Sequence, residues 1–276
     1  MAAISAASVK ALRERTGLPM MDCKRALQEA DGDQEKAVDL LRKAGKKTMD
    51  KRAGRETTGG RIAVYTDLEA GVGAMIELLC ESAPVANNEE FVQLTGDLVK
   101  QLATGPGAQT PEDLLGQPSP GDPSQTLKEQ FDDLNNRIRE VFRLNRMVRI
   151  DATCGGYAHH DGRCGVLLEI EGGNAELAKD VCMHVAAIRP ASVSKEDLDP
   201  ETVAREREVQ ADRARQEGKP EEIIEKMVEG RMKSFYAEQC LLQQPFVKDD
   251  SKTVGDVAAE AGMKVLSFVH WEIGKE

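Results

Sequence analysis

Cys154, His159, His160 and Cys164 fall close together in the chain and carry the thiol and imidazole groups that bind zinc. Their order, Cys-x4-His-His-x3-Cys, matches none of the usual structural spacings, so the stretch is read as a solvated hairpin turn and no metal is assigned. His184 shares a helical face with Leu177, Val181 and Ile188, which marks it as a hydrogen-bonded, partly buried histidine. Gly71-Val72-Gly73 lacks the third glycine of a dinucleotide loop and precedes a strand where that fingerprint follows one. No Ser/His/Asp set, carboxylate pair or phosphate loop stands in the required context. The residues therefore offer no convincing catalytic centre and assign no cofactor, with an enzyme built on Cys154, His159 and Cys164 as the outside alternative. Its six cysteines, scattered and without a CxxC pair, read as reduced thiols.

A different kind of chemistry is suggested by "RTGLPMMDCKRAL", residues 15–27. Pro19 opens a helix in which Cys23, Ala26, Leu27 and Ala30 form one buried stripe, with Met20 one turn up that stripe. Met21 falls with Lys24, Arg25 and Gln28 on the polar side. A flexible thioether in that position either plugs a gap between helices or adapts to a partner, and spacing leaves both open.

These residues need elements to hold them. A chain of 276 residues with 40% hydrophobic content can bury a core and suggests about two domains. A formal charge of -11 argues against a nucleic-acid partner held through phosphates. No apolar run is long enough for a bilayer and the start lacks a leader pattern, so the cytoplasm is the expected compartment.

Ser5 caps a helix carrying Val9 and Leu12. The methionine helix follows, and Asp33 caps a third with Val38, Leu41 and Ala44 inward and Gly45 at its end. Residues 1–46 thus read as a three-helix domain and 47–60, basic and aperiodic, as a linker. "RIAVYT" and "AMIELLC" read as a hairpin, followed by a helix from about Asn88 to Thr104 and a Pro/Gly-rich loop from Gly105 to Ser124. After a helix on Leu127, Phe131, Leu134, Ile138 and Phe142, the order of turn, strand and helix repeats, which predicts two related α+β subdomains at 61–145 and 146–198. Residues 199–237 read as an antiparallel helical hairpin broken at Gly218-Lys219-Pro220. Residues 238–276 return to the second subdomain and end on a strand with Val265, Val269, Trp271 and Ile273 on one side.

"LRERTGLPMMDCKRAL", "MHVAAIRP", "GKPEEIIEKMVEGRMKSF" and "QPFVKDDSKTVG" together resemble the elongation factor Ts family. The resemblance covers most of the chain and is weakest from Gly105 to Arg146. It implies a ubiquitin-associated-like N-terminal domain, a two-part core, an inserted coiled-coil hairpin, and guanine-nucleotide exchange on elongation factor Tu without direct nucleic-acid or membrane contact. It also implies that Arg13, Met20 and Met21 meet the nucleotide-binding domain of elongation factor Tu and that His184 approaches its phosphate-binding loop. Where the family carries Thr-Asp-Phe-Val, this chain has Ser82-Ala83-Pro84-Val85. Ser82 and Val85 keep the expected partner-binding place, but the roles of the acid and the aromatic are not carried onto Ala83 and Pro84. The alternative is an adaptor that docks through its three-helix domain without promoting exchange.

Overall fold

The computed structural model describes residues 4–218 and 220–275. α1 (Ala6–Thr16) opens on Ser5, whose hydroxyl accepts the Ser8 N–H, and closes on Gly17 in the left-handed region at φ 66°. α2 (Met20–Glu29) and α3 (Gln34–Arg52) complete a bundle around Leu12, Leu18, Cys23, Leu27 and Leu41.

Two expectations need correction here. Met20 does not enter this core: it is 49% exposed and Met21 63%, because Leu18 already fills the space ahead of the helix start. Nor does α3 stop at Gly45; it runs to Arg52 through much of the expected linker, and Ala44 is exposed. Gly45 serves a crossing rather than a terminus. A Cβ there would lie 2.6 Å from Asn136 Cγ on α7 (Leu127–Ile138), against which α3 packs.

The first sheet has order β1-β2-β3, all antiparallel, from β1 (Gly59–Asp67), β2 (Val72–Cys80) and β3 (Arg143–Ile150). A division at 145/146 would cut β3, so the first subdomain extends to Ile150. α4 (Ala83–Ala86) is a single turn after β2. α5 (Glu89–Thr104), capped by Asn88, lays Phe91, Leu94, Leu98 and Leu102 over Ile76 and Leu78. The Pro/Gly-rich stretch is not wholly irregular. It holds α6 (Pro111–Leu115), with a Thr110/Asp113 capping box and a fully buried Leu114. α7 ends at Ile138, leaving Phe142 beyond it but still in the same core, edge-on to Phe91 and Phe131.

β4 (Cys154–Ala158) and β5 (Cys164–Gly172) form the second hairpin, and α8 (Ala175–Ile188) follows. α9 (Pro200–Gln216) and α10 (Glu221–Gln239) pack against each other through Ala214, Ile224, Val228 and Met232. The expected break between them includes Lys219, which lies outside the described residues. The chain returns through β6 (Pro245–Phe246), β7 (Asp249–Thr253) and α11 (Val254–Glu260) to β8 (Met263–Glu272), giving a second sheet of order β4-β5-β8.

Each sheet has helices on one face, and the other faces stack on each other through Ile62, Met75, Cys154, Leu167 and Ile273. β8 does not keep one side throughout. Ser267 pairs with Glu169 but Val265 with Ile170, so Leu266 is an extra residue that reverses the alternation. Val265 consequently faces α8, whereas Val269, Trp271 and Ile273 face the other sheet.

Glycines permit the closest approaches in this second half. A Cβ on Gly155 would stand 2.6 Å from Ala178 Cβ and 3.1 Å from its backbone carbon. Gly155→Ala should lower stability by about 1–3 kcal/mol through overpacking. Gly96→Ala, in mid-α5 with open space around it, should raise stability by about 0.5–1 kcal/mol. Urea unfolding of the two variants checks the opposite signs.

Candidate functional site

α7 is closed by Arg139, a non-glycine residue in the left-handed region at φ 66°, and the three residues after it turn the chain into β3. Three other parts of the molecule meet at this turn. The Arg139 guanidinium pairs with Asp22 of α2, and its carbonyl accepts from Arg52 at the end of α3. Glu140 accepts the Ser82 N–H at 3.0 Å and the Ser82 hydroxyl at 2.6 Å. The Val141 N–H donates to Glu81 at 2.9 Å, and Glu81 also pairs with Arg55 at 3.1 Å. Burial pushes the Asp22 carboxyl up, but hydrogen bonds from Arg25 and Arg139 outweigh it and hold the group below its usual range. Arg139, Glu140 and Val141 thus tie the methionine helix and the Ser82 loop to one point. No motif marked them, since their role depends on partners far away in sequence.

The surfaces hung on this turn are of two kinds. Met20, Met21 and Arg13 are exposed, so α1 and α2 present two adjacent thioethers with a cation nearby in the chain. Ser82 and Val85 are half-buried: Ser82 is committed to Glu140, and Val85 packs on the first core. The exposed residues of that loop are Ala83 and Pro84.

His184 is fully buried. Its Nδ1 accepts the Val247 N–H at 3.2 Å, which leaves the proton on Nε2 to donate to Gln244 Oε1 at 2.8 Å. Gln244 in turn donates to the Glu238 carbonyl at 2.7 Å. The imidazole therefore presents no surface to a partner; it fixes the turn that exposes Val247. Gln244, from the "QPFVKDD" stretch, is the site residue that spacing alone missed, because its glutamine-to-histidine bond joins segments distant in sequence.

The Cys/His hairpin does not assemble as a set. Side chains alternate along a strand, so Cys154 lies between the sheets while Cys164 faces α8. Burial pushes the Cys154 thiol up to about 11, which leaves it protonated at neutral pH. His160 is exposed, and His159 Nδ1 is 2.7 Å from the Tyr157 hydroxyl.

Burial lowers the His184 pKa from its ordinary 6.5, partly opposed by the Gln244 hydrogen bond. The unfolded chain then takes up a proton before the folded one does. His184 contributes its stability above about pH 6.5 and loses it as the pH falls through the lower folded value, by at most about 1.4 kcal/mol per pH unit. His184→Gln should be less stable at neutral pH, and its stability should fall less steeply than the parent's on acidification. Urea unfolding at several pH values compares the slopes.

The profile of the family described as Elongation factor TS matches residues 81–275. The chain is 42% identical over 275 residues to elongation factor Ts of Thioalkalivibrio sulfidiphilus, covering 99% of this chain and 92% of the relative. It is 43% identical over 275 residues to that of Alkalilimnicola ehrlichii, covering 99% and 93%. To that of Idiomarina loihiensis it is 44% identical over 275 residues, covering 99% and 92%. With so much of both lengths matched, the sheets, the clamped turn and the buried histidine described above are those of a chain that belongs to the elongation factor Ts family.

Proposed function

We propose that this translation elongation factor promotes release of guanosine diphosphate from elongation factor Tu by binding the nucleotide-free form preferentially, so that guanosine triphosphate can rebind. The observation that carries the reading is the pair of exposed methionines held rigidly to the core through Asp22 and Arg139. Large exposed thioethers are costly in water and adapt well to a partner's surface. A fixed helix start spares the ordering cost of presenting them.

The mechanism follows from linkage. If factor and nucleotide each weaken the other's hold on elongation factor Tu, the two weakening ratios are equal. Exchange then requires a surface that fits the emptied shape, and no proton transfer. In this reading the N-terminal helices form a ubiquitin-associated-like domain whose Arg13, Met20 and Met21 anchor the nucleotide-binding domain. The Ser82–Val85 loop leans on the same partner, with Pro84 as an apolar knob in place of the family aromatic. α9 and α10 form the coiled-coil hairpin. His184 acts by positioning the Val247 turn rather than by touching the phosphate loop, in keeping with its burial.

Ala83 and Pro84 in place of the family Asp-Phe favour a second reading, docking without exchange. Release of a fluorescent guanosine diphosphate from elongation factor Tu separates the two. Acceleration that saturates with this protein supports exchange. Binding with release at the spontaneous rate supports the adaptor.

Met20→Ala with Met21→Ala should weaken association by roughly tenfold or more without lowering thermal stability, as both side chains are exposed. Glu140→Gln should loosen the Ser82 loop, slowing exchange while leaving the methionine contact in place. Titration calorimetry and the release assay together distinguish these effects.

A further inference from the structure

Cys164, His270 and Glu272 meet at the end of the second sheet, on the face that α8 covers. The register brings them together: Cys164 lies opposite Glu272 across the β5–β8 pair, and His270 pairs with Val166, two residues along on the same face. Cys164 Sγ is 3.4 Å from His270 Nε2, and the same nitrogen is 3.7 Å from Glu272 Oε1. All three donor atoms lie within 4.8 Å of one another.

The geometry excludes a nucleophilic relay. A thiol, imidazole and carboxylate in relay use both ring nitrogens, one for the nucleophile and one for the acid. Here thiol and carboxylate converge on a single nitrogen, as donors do around a shared ion. Tetrahedral zinc, with bonds of about 2.3 Å to sulfur and about 2.0–2.1 Å to nitrogen and oxygen, spaces its donors by roughly 3.3–3.6 Å, close to the two separations measured from the His270 nitrogen. We propose that Cys164, His270 and Glu272 form a three-donor site for a borderline divalent transition metal, zinc foremost, whose fourth position opens into the adjoining cleft.

That cleft is lined by Tyr157, His159, Met183 and Arg189 among others. His159 stands next to Cys164 across the β4–β5 hairpin, where its N–H donates to the Cys164 carbonyl at 2.9 Å. Thiol, imidazole and carboxylate together suit zinc better than magnesium or calcium, which take oxygen. Binding forms one metal–sulfur bond, one metal–nitrogen bond and one metal–oxygen bond, and releases the Cys164 thiol proton to solvent.

Two cations compete for the same carboxylate. Arg189 lies 2.5 Å and Lys275 2.6 Å from Glu272, on its two oxygens. Both side chains are more than half exposed and can turn out to solvent. Their competition gives the site a signature that adventitious surface binding lacks, because removing a positive side chain should tighten it.

Cobalt(II) titration of the reduced full-length protein, followed by zinc competition, tests the site. One equivalent of cobalt should produce thiolate-to-cobalt charge-transfer absorption that zinc abolishes. Cys164→Ser should remove that band, His160→Asn should keep it, and Glu272→Gln should weaken binding by about tenfold. Lys275→Ala should tighten binding by about threefold or more. Circular dichroism of each variant establishes that it is folded. Absence of the band at one equivalent, its survival in Cys164→Ser, or unchanged affinity in Lys275→Ala would overturn the proposal.

Discussion

The turn formed by Arg139, Glu140 and Val141 lets the N-terminal helices and the core act as one body. Its three residues use a guanidinium, a carboxylate, a carbonyl and an amide on four different partners: Asp22, Ser82, Arg52 and Glu81. Individually, such half-exposed ion pairs contribute little. Together they fix the relative orientation of α2 and the Ser82 loop, which neither core could fix alone because the apolar clusters of the bundle and the first sheet are separate. The left-handed backbone at Arg139 is the local cost of aiming all these groups from consecutive residues.

Much of the fold was legible because hydrophobic periodicity reports burial directly. The α5 stripe of Phe91, Leu94, Leu98 and Leu102, capped by Asn88, is where the 3.6-residue period places it. The errors have specific physical origins. Gly45 has the residue type of a helix end, but it permits a crossing with Asn136, information held in α7 and not in α3. Met20 has the phase of a core residue, yet phase says nothing about how far a core extends along its helix. The β8 alternation failed at Leu266 because a bulge inserts one residue without a composition signal of its own.

The candidate site was legible in part for a related reason. The paired methionines, with Met21 on the polar side, and the altered Ser82–Val85 loop could be found from local sequence. The groups that hold them could not, since Glu140 and Gln244 gain meaning only from Ser82 and His184, each tens of residues away. The helical face marks His184 as a hydrogen-bonded, partly buried ring; it is fully buried, and its partners show why a histidine is required: one nitrogen accepts and the other donates. Likewise Cys154, His159, His160 and Cys164 are neighbours along the chain, whereas strand alternation sends Cys154 to the opposite face and brings His270 and Glu272 to Cys164 instead.

Under the proposed function, the unbroken course of α3 to Arg52 bears on how the partner would be gripped. A flexible tether would let the first foothold form and leave the second to a diffusive search, with a local concentration set by tether length. A stiff helix locked to the core instead presents both footholds at one spacing, as the two arms of a chelate. Such a molecule holds firmly only to a surface whose own two footholds match that span, and a displacement of one relative to the other breaks the advantage of both. Discrimination between two shapes of a partner can then arise from distance alone, with no residue at either foothold recognising the difference.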